Sequence, residues 1–277
     1  TVNTLIGGLA GDALDVGNEN TALGYFALST DTKGDRNVAI GNGALGTQNF
    51  TTSTDVYNVG IGYDAGFRIT TGFYNTLIGG LAGDHLTDAD YNVAVGTVAL
   101  SADTLGSKST ALGYGTLDTQ NFTTATDSHN VAVGYNAGTA VTTGVENTLI
   151  GALAGDALTA TNENTAVGKS ALSADTLGSR STAIGQGTLA SQNFTTSTQT
   201  FNTAVGFQAG NAVTTGIQNT LIGGLAGDAL TDADANVAVG RAALTTDTLG
   251  SQTVAIGSRT LNAQNFTTAT DTYNTAV

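Results

Sequence analysis

The sequence predicts an all-β fold: a parallel β-solenoid, or β-roll, of about sixteen coils. Three observations predict it. A glycine recurs along the whole chain, at Gly7, Gly24, Gly41, Gly62 and Gly79 and on to Gly257. The steps in sequence number run 17, 17, 21 and 17, as from Gly7 to Gly79, and that set of four then repeats. Each glycine closes a phrase such as Asn20-Thr21-Ala22-Leu23-Gly24, in which a β-branched second place and an aliphatic fourth place alternate with a small third place. Alternation over four or five residues is strand periodicity, and Thr, Val and Ile suit a pleated surface. The phrases are separated by glycine-bearing turns such as Thr70-Thr71-Gly72, and the chain has no proline.

The coils follow one another as a single continuous array over residues 1–277, in superrepeats at about 3–74, 75–146, 147–218 and 219–277. In each superrepeat the first coil carries Leu at the third place and a Gly-Asp turn, as in Asn75 to Asp84. The second closes on Ser101-Ala102-Asp103-Thr104-Leu105-Gly106 or its equivalent. The third has four additional residues, in a loop reading Gln120-Asn121-Phe122-Thr123-Thr124. The fourth returns to the shorter length. A second short strand is expected at Ala27-Leu28, Ala44-Leu45 and Ala99-Leu100. Thirteen of the sixteen phrases begin with Asn, which predicts a ladder of stacked amides hydrogen-bonded from coil to coil.

Side chains two apart on a strand share a face, so the bulky second and fourth places are expected inside the coil. The third place then faces outward, and it is Ala, Gly or Leu rather than polar. An apolar outer stripe of that kind predicts association with further copies of the chain, with Leu5, Leu77, Leu149 and Leu221 as its knobs. A coil this short also encloses a thin core, which favours oligomerisation.

Composition narrows the function classes. A net charge of −14, from 22 acids and 8 bases, argues against nucleic acid and anionic membranes as partners. No segment has the roughly 18 apolar residues of a membrane-inserted helix. Without cysteine there are neither disulfides nor thiolate metal sites. The chain opens just before one phrase and stops inside another, which predicts an excerpt from a longer protein.

Candidate chemistry is sparse. His85 and His129 have no spelled-out catalytic partners, and their counterparts in other superrepeats are Ala, Tyr or Phe, so no catalytic residue is assigned. Gly41-Asn42-Gly43-Ala44-Leu45-Gly46 matches the dinucleotide fingerprint in letters, but its first glycine is the ladder glycine and no helix follows. No cofactor is expected. Asp88 and Asp90, with Asp232 and Asp234, are weak candidates for Ca²⁺, a hard cation that takes oxygen ligands at such spacing; a solvated turn is the simpler account. The long loops carry Asn49-Phe50-Thr51, Asn121-Phe122-Thr123, Asn193-Phe194-Thr195 and Asn265-Phe266-Thr267, formal N-glycosylation acceptors and candidate attachment residues. The simpler account has the phenylalanine tucking the loop against the roll.

Phrases such as Asn164-Thr165-Ala166-Val167-Gly168 and Asn37-Val38-Ala39-Ile40-Gly41 resemble the head repeats of trimeric autotransporter adhesins. Longer stretches such as Asn130-Val131-Ala132-Val133-Gly134-Tyr135-Asn136-Ala137-Gly138 also resemble repeats of bacteriophage tail fibres. The resemblance implies a left-handed roll of three chains about one axis, although the coils here are longer than the adhesin head repeat. The expected function is a non-enzymatic structural or adhesive shaft of an extracellular homotrimeric fibre, on a cell surface or a virion. A host receptor or matrix would be met through loops or flanking domains. An ice-binding solenoid is the rival; it ranks lower because the threonine file alternates with valine and is expected to point inward. An enzyme would need paired acids in a cleft.

Overall fold

The computed structural model describes residues 2–277, and among them there is no helix. The fold is a parallel β-solenoid. Its described residues form two compact units, one ending at Asn136 and the other spanning Ala137–Val277. In the first, Thr4–Ile6, Thr21–Leu23, Val38–Ile40, Val59–Ile61, Thr76–Ile78, Val93–Val95, Thr110–Leu112 and Val131–Val133 stack in that order. In the second, the order is Thr148–Ile150, Thr165–Val167, Thr182–Ile184, Thr203–Val205, Thr220–Ile222, Val237–Val239, Val254–Ile256 and Thr275–Ala276. Each unit thus stacks eight turns, on the order of 38 Å at strand spacing. Like places pair with like: Thr76 lies opposite Val93, Leu77 opposite Ala94 and Ile78 opposite Val95.

The strands face opposite to expectation. Ala22, Ala39, Ala94 and Ala111 at the third place are buried, while the second and fourth places beside them are only half-buried or exposed. Space decides this. A turn is too narrow for two files of branched side chains, and its interior is filled by leucines from the segment after the ladder glycine, including Leu28, Leu45, Leu100 and Leu117. Against them only a small third place fits; a methyl added at Gly60 would lie 2.8 Å from Leu45 Cγ.

Leu77, Leu149 and Leu221 are therefore core residues and not an oligomer seam. Each has a compensating glycine. A Cβ at Gly66 or Gly83 would come within 2.7 and 2.8 Å of the Leu77 methyls. Where the third place is Leu, the fourth residue after the ladder glycine is Gly (Gly83, Gly155, Gly227); in the second and third coils the third place is Ala and that residue is Leu (Leu100, Leu117). The exchange supplies one leucine to each of these three coils, as close packing favours; the fourth coil has neither, with Ala132 and Gly138 at the two places. Leu5 adopts the same orientation over Gly11, but at 41% exposure it caps the end of its stack.

The ladder glycines are obligatory. Gly79 has φ +136°, and a Cβ there would lie 2.5 Å from the Gly96 carbonyl oxygen of the next turn. Only glycine fits such a backbone. Ala27-Leu28, Ala44-Leu45 and Ala99-Leu100, expected in strands, lie in turns; Leu28, Leu45 and Leu100 are left-handed, at φ 50–54°. The second strands occur elsewhere, where the second coil meets the long loop: Gly34–Asp35 pairs with Thr54–Asp55 and Gly106–Ser107 with Thr126–Asp127. Gly178–Ser179 pairs with Thr198–Gln199, and Gly250–Ser251 with Thr270–Asp271.

The expected amide ladder is present in both units. Asn92 N donates to Asn75 Oδ1 (3.0 Å) and Asn75 N to Asn58 Oδ1 (2.8 Å). Most Nδ2 groups reach a carbonyl further along the chain, as Asn75 to Ala89 O (2.7 Å) and Asn164 to Gly178 O (3.0 Å), while Asn37 Nδ2 turns back to Asn20 Oδ1 (3.1 Å).

Candidate functional site

The turn geometry produces one broad surface in each unit. The second-place file reads Thr21, Val38, Val59, Thr76, Val93, Thr110 and Val131 in the first unit. Beside it runs a fourth-place file of Leu23, Ile40, Ile61, Ile78, Val95, Leu112 and Val133. In the second unit the files begin Thr148, Thr165, Thr182, Thr203, Thr220 and Ile150, Val167, Ile184, Val205, Ile222. Among the described residues neither file contains a charge. Leu23, Ile150, Ile184, Ile222 and Ile256 are 38–44% exposed. Two files about 7 Å apart over eight turns make an uncharged strip on the order of 250 Å² per unit, aliphatic along one file and Thr or Val along the other.

The long loops are organised from inside by a buried carboxylate that escaped sequence reasoning. Asp103 Oδ1 accepts from Gly106 N and Phe122 N (both 3.0 Å), and its Oδ2 accepts from Gln120 Nε2 (2.6 Å). Gln120 also donates to Ser109 Oγ (2.8 Å) and accepts from Asn130 Nδ2 (2.8 Å). It bridges the ladder where Ser109 replaces Asn. Asp31, Asp175 and Asp247 repeat the arrangement with Gln48, Gln192 and Gln264. The signal was an Asp and a Gln always one short coil apart, once per superrepeat. Burial holds the Asp103 carboxyl above the usual carboxylate range, against the opposing pull of its Gln120 and backbone donors.

This network pulls the loop phenylalanines in. Phe50, Phe122 and Phe194 are only 5–7% exposed and Phe266 is half-buried, so none is an exposed attachment residue. Asn49, Asn121, Asn193 and Asn265 do face solvent, with the Oδ1 of Asn121 accepting from Thr104 Oγ1 (3.0 Å). The exposed face of each loop is threonine and serine, as at Thr51, Thr52 and Ser53.

The acids considered for Ca²⁺ are engaged by neighbouring turns. Asp88 Oδ1 accepts from Thr71 Oγ1 (2.7 Å) and Asp90 Oδ1 from Phe73 N (3.0 Å). Asp232 and Asp234 accept likewise from Thr215 Oγ1 and Ile217 N. Asp103 lies apart from them in its own buried network. Among the described residues no three His, Asp or Glu side chains converge as metal ligands, and no pocket opens. His85 Nδ1 sits 2.8 Å from the Ser101 carbonyl and 3.2 Å from Asp84 Oδ2, while the Ser101 hydroxyl is turned to Asp118. That geometry turns the serine hydroxyl away from the imidazole. Asp84 is raised in pKa by burial, and its Oδ1 has no partner.

No protein-family model matches the chain, and neither a curated protein nor a solved structure is significantly similar to it.

Proposed function

We propose that the chain is a non-enzymatic structural and adhesive shaft of an extracellular homotrimeric fibre, whose copies associate through the outward strip. The observation that supports this is the aliphatic fourth-place file, partly exposed on every turn and flanked by an uncharged file of Thr and Val. A second copy is the partner argued for because the strip is periodic. Only a surface with the same rise per turn and the same order of short and long coils matches it rung for rung along its length. The seam differs from the one the alternation first suggested: Ile78 and its equivalents belong to it, and Leu77 does not. Loop hydroxyls such as Thr51 and Thr52, rather than the buried phenylalanines, are the surface offered to a receptor or matrix. The sequence resemblance fits both a cell-surface adhesin and a virion tail fibre.

Ile184→Asp with Ile222→Asp tests the seam, since both side chains already lie partly on the surface. Light scattering should give three times the chain mass for the unaltered protein and one chain mass for the variant. An unaltered protein that stays monomeric at high concentration refutes the reading.

A second reading gains from the same correction. The threonines of five successive turns, Thr148, Thr165, Thr182, Thr203 and Thr220, face outward rather than inward, which removes one objection to an ice-binding face. The adjoining aliphatic file still favours protein over ordered water. Thermal hysteresis in a monomeric variant would support ice binding, and its absence would leave the fibre.

A further inference from the structure

Cysteine, methionine and tryptophan are all absent from this sequence. These are side chains that oxidants attack early, Cys and Met through sulfur. Their absence leaves tyrosine as the main one-electron donor of the chain, and the tyrosines are not scattered. Tyr57, Tyr74 and Tyr91 occupy the same place on three successive turns, each just before a ladder Asn and each left-handed, at φ 55–58°. That backbone projects the rings outward in one file. Tyr57 and Tyr74 have centroids 5.4 Å apart and planes 10° from parallel; Tyr74 and Tyr91 are 5.2 Å apart at 7°. Phe73 braces the file edge-on, with its centroid 5.4 Å from Tyr74 and 5.7 Å from Tyr91. All three tyrosines are 43–50% exposed. Tyr114 and Tyr135 form a second stack, 5.6 Å apart at 10°.

We propose that the Tyr57–Tyr74–Tyr91 file is a site of oxidative cross-linking, in which a peroxide-driven one-electron oxidant joins adjacent turns of one chain as dityrosine. Each of two neighbouring phenols gives up one electron and its hydroxyl proton. The two phenoxyl radicals couple through the ring carbons ortho to oxygen, forming one carbon–carbon bond. Each coupled carbon then loses its hydrogen as a proton while its phenol oxygen is reprotonated, restoring both aromatic rings. The net change is two hydrogens lost from the protein, and one hydrogen peroxide reduced to two waters.

The structure favours coupling within the chain for a geometric reason. Parallel rings one turn apart need only small side-chain rotations to bring ortho carbons together, whereas coupling between molecules waits on encounter. Arg36 reinforces one end of the file, its Nη1 donating to the Tyr57 hydroxyl (3.1 Å) and its guanidinium lying over the ring (5.5 Å). A link between Tyr57 and Tyr74, or between Tyr74 and Tyr91, closes a loop one coil long and limits what the unfolded chain can explore, as a disulfide does. The solenoid would gain covalent staples although it has no cysteine. This inference does not depend on the oligomeric seam, which involves other residues.

The test treats the native chain, at low concentration, with hydrogen peroxide and a haem peroxidase, then unfolds and digests it with trypsin. Cleavage after Arg36, Arg68 and Lys108 places Tyr57 on peptide 37–68 and both Tyr74 and Tyr91 on peptide 69–108. The expected product is these two peptides joined, two hydrogens lighter than their sum, with dityrosine fluorescence and a melting temperature raised by several degrees. The link should vanish in Tyr74→Phe, which keeps the stacked ring, while coupling of Tyr114 to Tyr135 persists as the internal control. The proposal is overturned if the native chain forms no 37–68 to 69–108 link. It is also overturned if that link survives Tyr74→Phe, or if the only products are chains joined to one another on a denaturing gel.

Discussion

Thr161 offers a sign-specific test of the packing. It is buried in the second unit, three residues before the ladder Asn164, and its hydroxyl has no partner. At the same place in neighbouring superrepeats stand Ala89 and Ala233, also buried. All three use only the main chain: Ala89, Thr161 and Ala233 each accept from a ladder amide through their carbonyl, at 2.7, 2.8 and 2.7 Å. The hydroxyl therefore contributes nothing to offset its lost hydration, which costs about 1–3 kcal/mol. Thr161→Val exchanges that hydroxyl for a methyl of similar shape, so it should stabilise by about that amount. Thr161→Ala also loses a buried methyl worth about 1 kcal/mol, leaving a gain of roughly 0–2 kcal/mol. Each kcal/mol corresponds to about 2–4 °C in a unit of this size. Calorimetry and urea denaturation of the three proteins settle the order Val above Ala, with Ala at or above Thr. If both variants melt below the unaltered chain, the hydroxyl is satisfied and the account of this position is wrong.

Three further outcomes are expected. Leu77→Ala should cost about 2–5 kcal/mol as an emptied core site, whereas Ile78→Ala, one residue on, should cost monomer stability under about 1 kcal/mol and mainly weaken association; reversed effects would put the wrong face inside. Gly79→Ala should cost at least about 3 kcal/mol, combining a forbidden backbone with a clash against the next turn, and a neutral result by denaturation would contradict the close approach. Burial raises the carboxyls of Asp84, Asp90, Asp103 and Asp156, so their stabilising effect is complete below the unfolded carboxyl value near 3.9 and is lost as pH rises through the raised folded values. Urea midpoints should thus be higher near pH 4.5 than near pH 7, with Asp103→Asn reducing the difference; exposed Glu163, lowered by its hydrogen bond from Arg180, works weakly in the opposite direction.

Periodicity made the fold class legible, and the recurring Asn made its internal ladder legible. Facing was not, because ranking the places by hydrophobicity overlooks the deciding quantity, which is room. A turn whose interior already holds Leu100 has space for Ala94 and not for Val93 or Val95, a constraint set by a residue several places further along. The Leu77–Gly83 and Ala94–Leu100 exchange held the answer in plain letters, but only when two places in a coil are read as one volume. The role of Asp103 went unrecognised for a related reason. An acid beside Thr and Gly looks like an exposed turn until Gln120, one coil away, is recognised as its partner.

The direction of the amide bonds has a consequence for array length. Asn58 Oδ1 accepts from Asn75 N and its Nδ2 donates to Gly72 O, and Asn75 does the same toward Asn92 N and Ala89 O. The Oδ1 groups are met by the rung that follows, while the Asn N–H groups, and the Nδ2 of Asn37, Asn58 and Asn130, reach back to Asn20, Gln48, Gln120 or the preceding Asn. Such a ladder leaves groups unmet only at its two terminal rungs, and each turn added passes an end onward without enlarging it. The end penalty is therefore fixed while the favourable contacts grow with every turn, as in any nearest-neighbour array. A chain of this kind becomes more secure by repetition alone, with no new type of interaction and no larger core.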